Sequence, residues 1–287
     1  MVKGTANITL YFQFCKLAAR LIVIFANMKA LNIIAAAIGA AVIGVGCTNT
    51  QPAEMETAIL QDKGSVKAVD VPDAEMDWDY DVEYVTGGVA DEVKDAINGT
   101  IITKCILGSE QGEGLTDVPA ACKMWAEDHE RGYINDTSAS QVELEEGPTF
   151  IYNWEFGMRG VFEAGPTGKD WVNYCFSDNQ YLGGAHGLLY MSYYVFNLKD
   201  GSIVHQEDIL QGNYKEDLQD VLEDAVRDYL GADWEDLDLF SMPDFNDNFR
   251  VDDNGITWIY NVYEVAPYAA GVVEGTLSWD QLKPYLK

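Results

Sequence analysis

Residues 188–205 read LLYMSYYVFNLKDGSIVH, and this stretch carries the clearest fold signal in the chain. Its first eleven residues are rich in aromatic and β-branched side chains, which fit the half-buried surface of a sheet. The Asp200-Gly201 pair that follows is typical of a tight hairpin, because both residues tolerate the positive φ that such a turn needs. The sequence therefore predicts a strand over Leu188–Leu198 that turns back into Ser202–His205.

Further strands are predicted on both sides of this hairpin. Each is a short run of aromatic or β-branched residues, and turn residues lie between the runs. The predicted strands are Thr149–Phe162, Asp170–Phe176, Ile256–Val262 and Val272–Leu277.

Helices are predicted in other parts of the chain. Apolar residues at helical spacing predict one helix from Gly87 to Ile101 and a second one over Pro119–Arg131. Tyr214–Leu230 has one apolar face opposite a charged face. Ser278 is a favourable cap for a terminal helix over Trp279–Leu286.

The grouping of these elements predicts an α+β fold, with an antiparallel β-sheet packed against helices. We place a mainly helical N-terminal half at residues 76–148. A C-terminal half of sheet and helices follows at residues 149–287.

The front of the chain has a different composition. Residues 1–46 contain no Asp or Glu, and an apolar run over Leu31–Val45 follows Lys29. Such a segment is typical of an export signal, and Met28 reads as its true start. The run ends in Gly44-Val45-Gly46-Cys47, which resembles a lipobox except that Gly44 stands where Leu is commonest. We predict lipidation at Cys47. The alternative is an uncleaved anchor, although a membrane-spanning helix needs about 20 apolar residues.

A lipid such as palmitate on Cys47 would anchor the chain to a membrane without spanning it. Residues 47–75 are polar and poorly patterned, so we expect a flexible tether there. Thr48 and Asn49 lack the Asp associated with inner-membrane retention. This favours the outer membrane of the cell envelope, with the protein facing the periplasm or the surface.

Charge narrows the choice of partners. From Cys47 onward the chain has 14 basic residues against 47 acidic ones, a formal net charge of −33. Nucleic-acid binding needs clustered Lys and Arg, so it is not expected. A cationic partner is compatible with this charge.

Three cysteines follow Cys47 in the sequence: Cys105, Cys122 and Cys175. In an oxidising envelope Cys105 and Cys122 are a candidate disulfide, because they flank one short loop. The alternative is three buried thiols that pack as small apolar side chains.

The most unusual local sequence is YLGGAHG at Tyr181–Gly187. Glycines around His186 predict a sharply turning backbone. His186 is then either an exposed ligand contact or part of a structural bulge. No Gly-x-Ser-x-Gly or His-Glu-x-x-His motif occurs, and Asp244–Gly255 fails as a calcium loop at its sixth and twelfth positions. We therefore assign no catalytic residue, metal or cofactor.

Four segments in order resemble one family signature: YLGGAHG, Tyr194–Gly201 (YVFNLKDG), Asp208–Leu210 (DIL) and Asn261–Gly271 (NVYEVAPYAAG). They resemble the extracellular domain of RsiV-type anti-sigma factors, which also precedes the catalytic domain of PdaC-type peptidoglycan deacetylases. The resemblance covers Thr149–Leu286, and the helix around Asp95–Asn98 resembles the other half of the same module.

This resemblance implies an α+β sensor or binding module outside the membrane. In the anti-sigma factor the module binds lysozyme. Two departures limit the analogy: no sigma-binding segment is expected before the signal, and no deacetylase motif is present. His186 and Glu264 are the polar residues of the family pattern, and we add Tyr181 and Tyr268 as candidate ligand contacts.

Three functions remain open from the sequence. We expect a non-enzymatic module that binds peptidoglycan fragments or a cationic protein such as lysozyme. The alternatives are an enzyme, or an accessory of one, that acts on envelope glycans with His186 and a carboxylate, and a purely structural lipoprotein.

Overall fold

The computed structural model describes residues 55–138, 149–232 and 239–287. Cys47 and the predicted export signal lie outside these residues. Within the described ranges, no helix has the length and apolar content that a membrane span requires.

A five-stranded sheet in the order β1-β2-β3-β4-β5 forms the centre of the fold. All neighbouring strands are antiparallel except β2 and β3, which are parallel. The strands are β1 (Glu56–Lys67), β2 (Glu75–Gly87), β3 (Trp154–Ala164), β4 (Trp171–Tyr181) and β5 (Leu188–Asn197). The N-terminal half of the chain therefore contributes two strands to this sheet in addition to its helices.

Strand β1 corrects the predicted tether. Residues 47–75 were expected to be flexible, but Glu56–Lys67 pairs with β2 along its whole length. The pattern of β1 hides this, because an edge strand buries little on either face. The tether prediction is therefore wrong from Glu56 onward.

Helices cover one side of the five-stranded sheet, which we call the inner face. Met76, Trp78, Tyr80 and Val82 of β2 point into it and pack in one apolar core. The helices of this half are α1 (Asp91–Ile101), a π-helical turn (Ile102–Ile106), α2 (Gly108–Gly112) and α3 (Val118–Asp136). This arrangement confirms the two predicted N-terminal helices and the α+β fold class.

The described residues cover the opposite side of the sheet, the outer face, only in part. A three-stranded antiparallel sheet, β6 (Phe249–Val251), β7 (Gly255–Tyr260) and β8 (Val273–Ser278), packs on the β4–β5 side. Asn173 of β4 joins the two sheets, because its amide bonds both the N–H and the carbonyl of Val251 at 2.9 and 2.8 Å.

The C-terminal helices surround a second core on the three-stranded sheet. They are α4 (Gln206–Ile209), α5 (Tyr214–Asp217), α6 (Gln219–Leu230) and α7 (Trp279–Leu282), with 3-10 turns at Tyr268–Ala270 and Lys283–Tyr285. A further 3-10 turn, Thr149–Tyr152, precedes β3. The predicted Tyr214–Leu230 helix is thus interrupted at Leu218. The predicted cap is confirmed, since the Ser278 side chain accepts from the Gln281 N–H.

Candidate functional site

The glycine-rich loop between β4 and β5 presents His186 at the surface. Gly183 and Gly184 have φ of +80° and +97°, in the left-handed region that favours glycine. A Cβ on Gly183 would lie 2.7 Å from the backbone of Ile151, so only glycine fits there. The Tyr181 hydroxyl donates to the carbonyl of Gly184 at 3.1 Å and closes the loop on itself.

His186 meets Tyr268, which lies far away in the sequence. The two rings stack at 4.0 Å between centroids with 23° between their planes. The carbonyl of Gly187 accepts from the Tyr268 hydroxyl at 2.8 Å and lies 3.1 Å from Nδ1 of His186. Two predicted site residues, His186 and Tyr268, are thus held together, and the His186 side chain stays exposed.

Glu264, another predicted ligand contact, lies in the turn that precedes Tyr268. Its carboxylate accepts from the backbone N–H of Asn261 at 2.8 Å and closes the turn that precedes Tyr268. Within that turn Tyr263 has a φ of +70°, which is uncommon outside glycine. Among the described residues, no hydrogen bond joins Glu264 to His186 or Tyr268, so Glu264 shapes the turn.

The same turn exposes further apolar side chains. Tyr263 is 50% exposed, and its ring centroid lies 5.7 Å from that of Tyr268. The neighbouring segment is tied to the turn by the Phe240 N–H, which donates to the Val265 carbonyl at 2.9 Å. Phe240 and Met242 are 58% and 54% exposed. We call His186, Tyr263, Tyr268, Phe240 and Met242 the aromatic patch.

Sequence reasoning identified part of this patch. The motif over Asn261–Gly271 already contained Tyr263, whose exposure follows from the left-handed turn. Phe240 and Met242 had no sequence signal, because their segment is brought alongside by a backbone bond from Phe240 to Val265 and by the Ser241 hydroxyl, which donates to the Glu264 carbonyl.

Four residues of the patch, His186, Tyr263, Phe240 and Met242, are exposed. A cavity of about 400 Å³ is instead lined by Lys67–Glu75, the loop between β1 and β2, and no predicted site residue lines it. Among the described residues, no group of three His, Cys, Asp or Glu side chains is placed to hold a metal ion. In the same part of the chain, the hydrogen bonds of His186 involve backbone only. The arrangement suits stacking and apolar contact.

The three cysteines are free thiols in the structure, so the Cys105–Cys122 disulfide is not formed in it. Cys122 and Cys175 are buried, and burial raises the pKa of these thiols to about 12 and about 11. For Cys122 and Cys175 the structure therefore agrees with the alternative that the cysteines are buried thiols that pack as small apolar side chains, whereas Cys105 is partly buried.

Comparisons with known proteins give a family match over part of the chain. Residues 207–280 match the family model described as "Protein of unknown function (DUF3298)". No curated protein matches the chain. This segment includes Tyr263, Glu264 and Tyr268 and leaves the His186 loop outside it.

Two solved structures have a similar fold. A DUF3298 family member from Bacteroides fragilis aligns with a TM-score of 0.71 and 24% identity, over 82% of this chain and 95% of its own. A DUF3298 family protein from Pseudomonas aeruginosa aligns with a TM-score of 0.56 and 15% identity, over 82% of this chain and 96% of its own. The chain thus carries a match to a DUF3298 domain at residues 207–280, within a fold that two solved members of that family share.

Proposed function

We propose that this chain is the binding module of an envelope lipoprotein and recognises a cationic protein such as lysozyme through the aromatic patch. The observation that carries the proposal is the patch itself. Tyr263, Phe240 and Met242 are each at least half exposed, on two segments that the hydrogen bond from Phe240 to Val265 joins, in a chain with 47 acidic and 18 basic residues. Large exposed apolar groups in such a setting mark interaction sites.

The chemistry of the patch fits a protein partner. Aromatic and Met side chains are enriched at interfaces, and Tyr often supplies the residues that dominate binding energy. The His186–Tyr268 stack is fixed by the Gly187 carbonyl, so these two rings lose little conformational freedom on binding. The acidic charge would speed encounter with a cationic partner and add salt dependence.

The resemblance to RsiV-type domains supports the same choice, because the module of those proteins binds lysozyme. We propose further that Cys47 carries the lipid and that the module works outside the cytoplasm, held at the outer membrane. Mass spectrometry of the mature N-terminus tests the anchor: an unmodified, internal Cys47 would contradict it.

Binding of lysozyme to the full-length protein tests the function. We expect Tyr263→Asn to weaken the Kd about tenfold or more, since truncation of a hot spot costs about 2 kcal/mol or more. Asn tolerates the left-handed φ of residue 263, so the turn should persist. Tyr229→Asn is the matched control, because Tyr229 is 52% exposed on α6 and is not in the patch. Isothermal titration calorimetry measures both.

Two outcomes would contradict this proposal. One is the absence of lysozyme binding at low ionic strength, where electrostatic attraction is strongest. The other is an equal loss of affinity in Tyr263→Asn and Tyr229→Asn, which would show that the patch has no special part.

A peptidoglycan fragment is the second candidate ligand. The stacked His186–Tyr268 pair supports it, because sugars pack against the faces of aromatic rings. Muropeptide titrations separate the two candidates. A ligand held by stacking should bind as tightly at high salt as at low salt, and should lose affinity for the Tyr268→Ala variant. A cationic protein should lose affinity at high salt as well as for Tyr268→Ala.

A further inference from the structure

The two edge strands of the five-stranded sheet, β5 and β1, differ in the hydrogen bonding of their outward backbone groups. At β5, the N–H groups of Met191 and Tyr193 donate to the amide oxygens of Asn261 and Asn248 at 2.7 and 2.8 Å. The Met191 carbonyl accepts from both amides, and the Val195 carbonyl accepts from Val204. The β5 edge is therefore bonded within the chain at Met191, Tyr193 and Val195. No described strand pairs with the outer edge of β1.

The backbone groups of β1 that point outward can be identified. The Ala68 N–H donates to the Ala74 carbonyl at 2.9 Å, and this bond continues the register in which Lys67 lies opposite Glu75. Bonded residues alternate along an antiparallel pair, so even-numbered residues of β1 bond to β2. Thr57, Ile59 and Gln61 consequently direct their N–H and carbonyl groups to the free edge.

Side chains protect only one half of this edge. Natural proteins commonly place Lys on exposed edge strands to discourage pairing. Lys63 and Lys67 do this in the second half of β1. The first half, Thr57–Gln61, has no charged residue, and Ile59 is 57% exposed.

The charged residues that flank or face the unprotected half on β1 and β2 are acidic, with Lys63 following directly after Asp62. Glu56 and Asp62 flank it on β1, and Asp81 and Glu83 face it from β2 across the register. The donors to these two β2 carboxylates are neutral: Gln61 donates to Asp81 at 2.6 Å and Thr57 to Glu83 at 2.5 Å. An incoming chain along Thr57–Gln61 would therefore meet four carboxylates, and Lys63 beyond Asp62 is the neighbouring basic side chain on β1.

We propose that Thr57–Gln61 docks an extended, basic polypeptide segment of a partner protein, which adds to the sheet as a sixth strand beside β1. Backbone hydrogen bonds to Thr57, Ile59 and Gln61 would hold the segment, as in other cases of strand addition. Its Lys or Arg side chains would lie near Glu56, Asp62 and the β2 carboxylates. The inference goes beyond the proposed function, because this edge does not include any residue of the aromatic patch.

A synthetic ten-residue peptide of alternating Lys and Val probes this edge on the full-length protein. We expect binding by the Lys-Val peptide and none by a Glu-Val peptide of the same length. Ile59→Pro removes one outward N–H, and Pro is tolerated on the free side of an edge strand. This variant should bind at least about tenfold more weakly, the change in Kd for one lost anchor of about 1.4 kcal/mol. Ile59→Thr keeps the N–H and should stay within about threefold of the wild type.

Amide hydrogen exchange locates the site. The peptide should slow exchange at Ile59 and Gln61, and Tyr268→Ala should leave this protection unchanged, so failure of the aromatic patch and failure of the edge are distinguishable. Equal binding by Ile59→Pro and the wild type would overturn the proposal. The proposal would also be overturned if the amides of Ile59 and Gln61 exchanged slowly in the protein without peptide and the protein had the mass of a dimer, because a second copy would then cover the edge.

Discussion

The two faces of the five-stranded sheet are built from the same strands and differ in almost every other respect. On the inner face, β2 contributes Met76, Trp78, Tyr80 and Val82 to a continuous apolar core beneath the helices. On the outer face, alternate residues of the same strand are all acidic: Glu75, Asp77, Asp79, Asp81 and Glu83. Strand alternation thus places the core and a charged surface one residue apart.

This difference separates what holds the fold together from what is open to a partner. Burial of apolar area stabilises the inner face, whereas repeated carboxylates on one strand repel each other and add little stability. Within the described ranges, the outer face is covered near β4 and β5 and open near β1 and β2. The acidic surface is therefore available where the fold does not need it.

The largest expected effect comes from neighbouring residues of β2. Met76 is fully buried, so Met76→Ala should lower the free energy of unfolding by about 2–5 kcal/mol. Asp77 is exposed, and Asp77→Ala should change it by less than about 0.5 kcal/mol. Urea denaturation measures both. Similar losses for the two variants would mean that the faces are not energetically distinct.

A smaller effect is expected where the outer face is covered. Asn173→Ala would leave the N–H and carbonyl of Val251 and the carbonyl of Ala164 without their amide partner. We expect a loss of about 1–3 kcal/mol in unfolding free energy, the cost of buried polar groups left unsatisfied.

Asn179 provides the control for this substitution. It lies on the same face of β4 but is exposed. Asn179→Ala should leave the urea midpoint nearly unchanged. If Asn173→Ala also left the urea midpoint unchanged, the Asn173 amide would not join the two sheets in solution.

The sequence predicted the elements whose signals are local. The aromatic run and the Asp200-Gly201 turn predicted β5 and its return, and the Ile203 bridge to Phe196 confirms them. Tyr268 was proposed from a family pattern, and the structure brings it onto His186. Such a stack depends on two segments that meet only after folding.

Other features required the structure. β1 has weak alternation, and its identity as a strand follows from pairing with β2 rather than from its own residues. The alternating apolar residues Met76, Trp78, Tyr80 and Val82 are typical of a strand, and the prediction of a mainly helical N-terminal half missed this signal. Phe240 joined the site through backbone bonds, for which side-chain patterns give no signal.

The smallest expected effect is a pH-dependent change in Tm caused by Glu163, at the border between the covered and open parts of the outer face. Burial raises the pKa of the Glu163 carboxyl above its ordinary value of 4.5, although nearby Arg250 opposes the shift. The folded state then holds this proton more tightly than the unfolded state, so stability falls as pH rises from that value through the folded pKa. Glu163→Gln removes this dependence, and its Tm should gain on the wild type by a few degrees as pH rises from about 4 to 7.

Asp253 shows the opposite sign and serves as the control. Hydrogen bonds from the N–H and hydroxyl of Thr167 lower the pKa of the Asp253 carboxyl. The ionised Asp253 carboxylate therefore stabilises the folded state above the ordinary carboxyl pKa, and this stabilisation is lost as pH falls through the pKa that Asp253 has in the folded protein. The Tm of Asp253→Asn should therefore fall behind the wild type as pH rises, while that of Glu163→Gln moves ahead. If the difference in Tm from the wild type changed with pH in the same direction for both variants, the assignment of Glu163 to the covered side of the border would be contradicted. Burial raises the pKa of Glu163, whereas hydrogen bonds lower that of Asp253, so the two differences should change in opposite directions.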